Sequence, residues 1–334
     1  MKLRNLLVLV VISIFTLTGY CQNSEIENLI QQGIKLHDNG KYEEAIDIYK
    51  KALSINPNSS LANYEIALSY QSEKDYKNAE KFSKKVLDLN NGHILPGYVA
   101  YANALDMQGE SKKAIKAYEK AIKKFDHYLL YYNYGYTCFN QGEIKKAYNA
   151  AINAINNNPS HGSSHLLLSK IMAKKGDRVK AMLPIYFFLL IEPNSARAKI
   201  EYQTLRSYID RGVTRTSEKN IDVLIPMNDD SDFGAAEMMI SLAKASNSME
   251  ENKDKNELQL FSDNNELIFK VLGELKKDNT GFWWDFYVTL FYDLANENLT
   301  EIYSYYISLS MGEQAVNWVD EHNDDFEKFK HWLE

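Results

Sequence analysis

The chain has 334 residues, enough for two domains or one long solenoid. At 45% hydrophobic and 12% aromatic it carries ample material for a core, and 15 glycines with 6 prolines leave little for long disordered linkers. The formal net charge of −7 disfavours nucleic acid and anionic membrane surfaces as partners, because both reward a concentrated basic face.

In chain order, the N-terminus reads as an export signal. Lys2 and Arg4 give a charged start, and Leu6 to Leu17 is apolar but too short for a comfortable membrane span. Small residues at Gly19 and Cys21 precede a cleavage site before Gln22. This predicts a signal peptide over 1–21 and an exported mature chain, periplasmic or secreted. Two alternatives stay open: a lipid anchor on Cys21, which makes the chain an outer-membrane lipoprotein, and an uncleaved anchor. Tyr20 counts against lipidation, since that processing wants a small residue just before the cysteine. Cleavage leaves Cys138 as the one remaining cysteine, which reads as a buried small apolar side chain rather than a disulfide partner.

From residue 26 onward, small and aromatic residues recur with a period of about 34. Ala45, Ala79, Ala114, Ala147 and Ala181 mark it. Gly40, Gly109, Gly142 and Gly176 each sit five residues earlier, and Pro57, Pro159 and Pro193 each follow an alanine by twelve. A period of this length is the size of one helix–turn–helix unit, which buries its apolar face only by stacking on neighbours. The first unit reads Gly33, Leu36, Gly40, Tyr42, Ala45, Tyr49, Ala52, Pro57. That order resembles the tetratricopeptide repeat. Units are placed at 26–59, 60–93, 95–128, 128–161 and 162–195, together the repeat region 22–195. The second unit has Ser83 where a large residue is usual. Gly33, Ala67, Ala102, Gly135 and Ser169 on the first helix of each unit are expected to face the alanines on the second, so that the axes approach closely. Helix B of the fifth unit, Met182 to Ile191, is apolar all round and has Phe188 where the family carries a small residue. This predicts that the C-terminal half covers it, with Pro184 kinking or starting it.

Residues 196–212 read as a capping helix ended by Gly212, and 213–232 as a polar connector whose apolar run Ile221 to Ile225 packs on the solenoid as an extended segment. Helical patterns follow at 233–248, 257–277, 282–296, 299–310, 312–321 and 323–333. Residues 233–334 therefore read as a C-terminal helical, aromatic-rich domain, not assigned to a family. The fold class expected is all-α: a solenoid of about five repeats followed by that domain. Trp283 and Trp284 are adjacent and cannot both face inward on one helix, so one of them is expected at an interface, either with the repeats or with a partner. The rings of this region read as a core of bulky side chains, or alternatively as an exposed shelf for a peptide or sugar.

Little in the chain points to catalysis or metal binding. The acidic run 228–232 lacks the glycine and glutamate placement of a calcium loop. His161 and His165 are four apart, but His161 falls in a turn and His165 at a packing position, so no metal is expected. His93, His127 and His161 recur at 34-residue steps and read as turn residues, or as an acid-sensitive edge. There is no phosphate-binding glycine loop, nucleophile elbow, zinc-protease motif or Cys-x-x-Cys, so neither enzyme chemistry nor a cofactor is predicted.

The resemblance implies a groove lined by the first helix of each unit. Its lining here is rich in aromatic and amide groups: Tyr64, Leu68, Gln71, Val99, Asn103, Asp106, Leu129, Tyr132, Tyr136, Phe139, Leu166 and Lys170. The lysine, arginine and asparagine set of the family's carboxylate clamp is missing from the first three units. Such a groove suits an extended or helical partner segment. Tyr64, Leu68, Asn103, Tyr132, Tyr136, Phe139 and Lys170 are the candidate contacts, with Tyr132, Tyr136 and Phe139 at their centre. The alternative is that these rings pack between repeats. The function expected is a non-catalytic protein-interaction scaffold in the bacterial cell envelope. A small-molecule or carbohydrate binder or enzyme, with its site in the aromatic C-terminal domain, is the alternative.

Overall fold

A computed structural model describes residues 24–215, 221–223, 233–247, 249–277 and 279–334. The leader, the Cys21 anchor and the acidic run 228–232 lie outside the described residues. Two compact units divide at Ala147/Tyr148, inside one helix. The division falls before the fifth repeat, so that repeat belongs to the second unit.

The first unit is a succession of antiparallel helices: α1 (24–38), α2 (Tyr42–Ile55), α3 (Ser60–Ser72), α4 (Tyr76–Leu89), α5 (Ile94–Met107), α6 (Ser111–Ile122), α7 (Tyr128–Asn140) and the start of α8 (Ile144–Asn157). From α2 to α7 each helix packs on the next, and α5 also neighbours both α3 and α7. The signature alanines Ala45, Ala79 and Ala114 are fully buried. Small residues are mandatory where axes approach: a Cβ on Gly33 would lie 2.3 Å from the Tyr49 ring. Ser83 takes the place of a larger side chain by turning its buried hydroxyl onto the Ala79 carbonyl at 2.6 Å.

The turn inside each repeat needs a left-handed residue. Gly40, Gly109 and Gly142 supply it at φ 75° to 80°, and in the second repeat Lys74 holds the same place at φ 65°. Two of the turns between repeats are closed by side-chain N-caps. Ser59 accepts from the Ala62 amide, and His127 Nδ1 accepts from the Leu129 amide. His93 and His127 both sit at N-cap positions, in line with the turn-residue reading. The second helices end two residues before Pro57 and Pro159, as a residue without an amide hydrogen requires.

The second unit holds the end of α8, then α9 (Gly162–Lys175), α10 (Arg178–Ile191) and α11 (Ala198–Asp210). A two-stranded antiparallel hairpin follows, Val213–Arg215 (β1) with Ile221–Val223 (β2). Ile221–Val223 is extended, as expected, and pairs with a strand: two extended segments flanking a short connection satisfy their backbone groups on each other. Then come α12 (Gly234–Ser246), α13 (Glu257–Lys276), a π-helical turn (Trp283–Val288) running into α14 (Thr289–Asn296), α15 (Thr300–Tyr306), α16 (Glu313–Glu321) and α17 (Asn323–Leu333).

Helix α10 is buried along nearly its whole length, as its all-round apolar sequence requires. Asp177 caps it, so Pro184 lies in its interior rather than at its start. The Tyr186 hydroxyl donates to Asn265 Oδ1 on α13 at 2.6 Å, and the Tyr303 hydroxyl of α15 donates to the Tyr186 carbonyl at 3.0 Å. Phe188 fits because α9 carries glycine opposite it: a Cβ on Gly162 would lie 2.9 Å from the Phe188 ring. Near the start of α10, the buried guanidinium of Arg178 meets Glu237 of α12 at 2.6 Å and donates to the Arg211 carbonyl and the Ser241 hydroxyl. Both charges are out of water, but each is paired and hydrogen-bonded.

Candidate functional site

The predicted groove residues of the first unit lie on α3, α5 and α7. On α7, Tyr132, Tyr136 and Phe139 are spaced by four and three residues, which puts them on one stripe. The Tyr132 and Tyr136 ring centres are 6.4 Å apart at 33°. Tyr136 is 47% exposed, an unusual state for a large ring. Tyr132 and Phe139 are half-buried. On α3, Tyr64 and Leu68 are half-buried, and Tyr64 stacks on His93 at 6.0 Å with 13° between planes. Burial pushes the Tyr64 hydroxyl upward in pKa, with Glu65 adding to it, so the ring presents a neutral hydroxyl.

The polar members of the predicted set do different work. Asn103 Oδ1 accepts from the Tyr118 hydroxyl inside the repeat. Asp106 accepts from Ser111 and, at 2.9 Å, from Thr137 of α7. Gln71 donates to the Ala100 carbonyl at 2.6 Å. These groups stitch α3 to α5 and α5 to α7, since a half-buried amide or carboxylate left unpaired is costly. Lys170 is exposed on α9 and belongs to the second unit.

The aromatic residues of the second unit form its core. Trp283 and Trp284 are both buried, at 7% and 5% exposure, and Trp283 lies against the repeats, the interface expected of one of the pair. The π-helical turn that carries them is covered on more than one side: Trp283 Nε1 donates to the Tyr148 hydroxyl at 2.9 Å, and Trp284 stacks on Phe233 at 4.5 Å. A cavity of about 620 Å³ in this unit is lined by Tyr202, Arg206, Glu257 and Met311 among others, and no tryptophan lines it. Its arginine is already engaged with Glu257 at 2.6 Å.

His165 Nε2 lies 2.8 Å from the Pro159 carbonyl and Nδ1 lies 2.6 Å from the Tyr287 hydroxyl, so both ring nitrogens are committed. The carbonyl only accepts, which fixes the neutral tautomer with hydrogen on Nε2 and Tyr287 donating to Nδ1. Burial holds the imidazole well below its ordinary value, at about 4. Sequence spacing put His165 at a packing position, and its tie to Tyr287, 122 residues away, carried no local signal. Cys138 is buried, and burial pushes its thiol up to about 11, the opposite of what a nucleophile needs. His161 faces Ser164 at 2.8 Å.

Comparison with known proteins agrees with this architecture. A TPR repeat family model matches residues 33–73, and tetratricopeptide repeat models match 61–93 and 100–161. A TPR repeat-containing protein of Methanocaldococcus jannaschii is 24% identical over 184 residues, 52% of this chain and 32% of its own length. Small glutamine-rich tetratricopeptide repeat-containing protein 2 of Saccharomyces cerevisiae is 28% identical over 99 residues, 30% of this chain and 28% of its own length. The chain thus spans about a third or less of the curated relatives it matches. Among solved structures, a thermophilic TPR protein of Thermus thermophilus is 18% identical, with 54% of this chain and 98% of that chain covered at a TM-score of 0.48. Residues 33–93 and 100–161 therefore carry tetratricopeptide repeats.

Proposed function

We propose that this chain is a non-catalytic scaffold that docks an extended or helical segment of a partner protein across the aromatic stripe Tyr132–Tyr136–Phe139. The observation that carries the reading is the exposure of Tyr136 beside Tyr132 on a first helix of the repeats, where stitching has already used the neighbouring polar groups. Rings of this kind give large contact area at small entropic cost. The charged leader and apolar run at 1–21 support a place of action in the cell envelope, with or without a lipid on Cys21. The committed ring nitrogens of His165 and the raised pKa of the Cys138 thiol support a role without catalysis.

The test is a crosslinking pull-down from envelope extract with the mature chain and a Tyr132→Ala/Tyr136→Ala variant side by side. The expected result is a protein retained by the first and lost by the second, with unchanged helical content. Equal retention by both removes the stripe from the account.

A further inference from the structure

A second surface of the first unit has a different character. Between α4, α5 and α6 lies a cavity of about 470 Å³. Its rim carries Lys84, Lys113, Lys116, Lys120 and Lys124, against the single carboxylate of Asp88. Its floor is apolar and aromatic: Leu87, Tyr98, Tyr101 and Ala117. Lys113 is tied to Glu110 at 2.7 Å. Among the described residues no carboxylate lies within ion-pair distance of Lys84, Lys116, Lys120 or Lys124. Lys124 instead lies 5.8 Å from the centre of the Tyr98 ring. Such a concentration of cations is out of keeping with a chain of net charge −7.

This surface is distinct from the aromatic stripe. On α5, Tyr98, Tyr101 and Leu105 face the cavity, whereas Val99, Asn103 and Asp106 occupy the groove positions. At 3.6 residues per turn the two sets point about a third of a turn apart.

We propose that the cavity binds an extended acidic peptide segment, with carboxylates on the lysine row and the intervening apolar side chains on the tyrosine floor. The spacing supports a peptide strand. Lys116 and Lys120 step by four residues on α6, about 6 Å of helix rise, with Lys124 in the turn just beyond its end, and alternate side chains of an extended chain are about 6.6 Å apart. A compact phosphate would be better met by an arginine fork or a nest of backbone amides, and lysines strung along a helix are neither. The proposal is independent of the groove reading, since no residue is shared.

The test uses the full mature chain and a dye-labelled octapeptide of alternating glutamate and leucine, followed by fluorescence anisotropy. Its glutamine–leucine counterpart and an oligothymidylate are run alongside. The Lys116→Gln/Lys120→Gln/Lys124→Gln variant is compared with Lys112→Gln/Lys123→Gln, which removes exposed lysines of the same helix region outside the cavity. The glutamate peptide is expected to bind in a salt-dependent way. The cavity variant should weaken it roughly tenfold, since each partly exposed ion pair is worth a factor of about two to three, and the control should bind as the parent does. Equal weakening in both variants means diffuse charge and overturns the site. So does absence of glutamate-peptide binding, equal binding of the glutamine peptide, or tighter binding of the oligothymidylate.

Discussion

Acidification should destabilise the second unit through His165. Its ring is sandwiched by Phe187 at 4.5 Å and Phe286 at 5.9 Å, with both nitrogens engaged, so it folds as a neutral group. A proton on Nδ1 would turn that acceptor into a donor facing the Tyr287 hydroxyl and bury a charge among rings. The folded imidazole titrates at about 4 and the unfolded one at its ordinary 6.5, so the unfolded chain takes the proton first. Stability is therefore full above 6.5 and falls as pH drops toward 4, below which the loss is complete. The whole gap corresponds to roughly 3 kcal/mol, and roughly 2 kcal/mol of it disappears between about pH 7 and about pH 5. All four tryptophans, Trp283, Trp284, Trp318 and Trp332, lie in the second unit, so urea unfolding followed by tryptophan emission reads that unit alone. The control is His165→Gln, which offers an N–H to Pro159 and an oxygen to Tyr287 and does not titrate. The parent chain should lose about 2 kcal/mol more than the control over that interval. An equal loss in both, or no loss in the parent, refutes the assignment.

Three further outcomes follow from the packing. Lys74→Gly should raise the melting temperature of the first unit, by up to about 1 kcal/mol of relieved left-handed strain, read by circular dichroism. A lowered midpoint would show that the Lys74 side chain matters more than its backbone. Ala114→Leu should cost on the order of 1–3 kcal/mol, because the site is fully buried between close helices. An unchanged thermal midpoint would count against the repeat register. Arg178→Met should destabilise the second unit by about 3–5 kcal/mol by stranding Glu237, while adding Glu237→Leu should recover much of the loss. A double variant no better than the single would mean that the network's hydrogen bonds, not the stranded charge, set the cost.

The repeat architecture was legible because its determinants are local. The alanine period, the turn glycines and the prolines each act within one helix pair, and the helices stand where those residues place them. The need to cover α10 was legible from its lack of a polar face. What escaped was non-local. Nothing near Phe188 announces that Gly162 makes room for it, and nothing near Trp284 announces Phe233. The π-helical turn left no periodic trace, since one wide turn shifts the pattern without erasing it. Among the groove candidates, residue type separated two roles that position alone merged. Asn103 and Asp106 bond within the unit, while Tyr136 stays open. The lysine row was visible at 113, 116, 120 and 124, but most of its floor came from α4 and α5.

The most direct test of the central claim is photo-crosslinking in envelope extract from a benzophenone side chain installed at position 136 of the full chain. A second chain carries the same group at the exposed Lys77 position on α4. The account predicts one discrete protein adduct from position 136 that is absent from position 77 and competed away by excess unlabelled chain. Adducts of the same pattern from both positions, or none from position 136 while the chain remains folded, would contradict it.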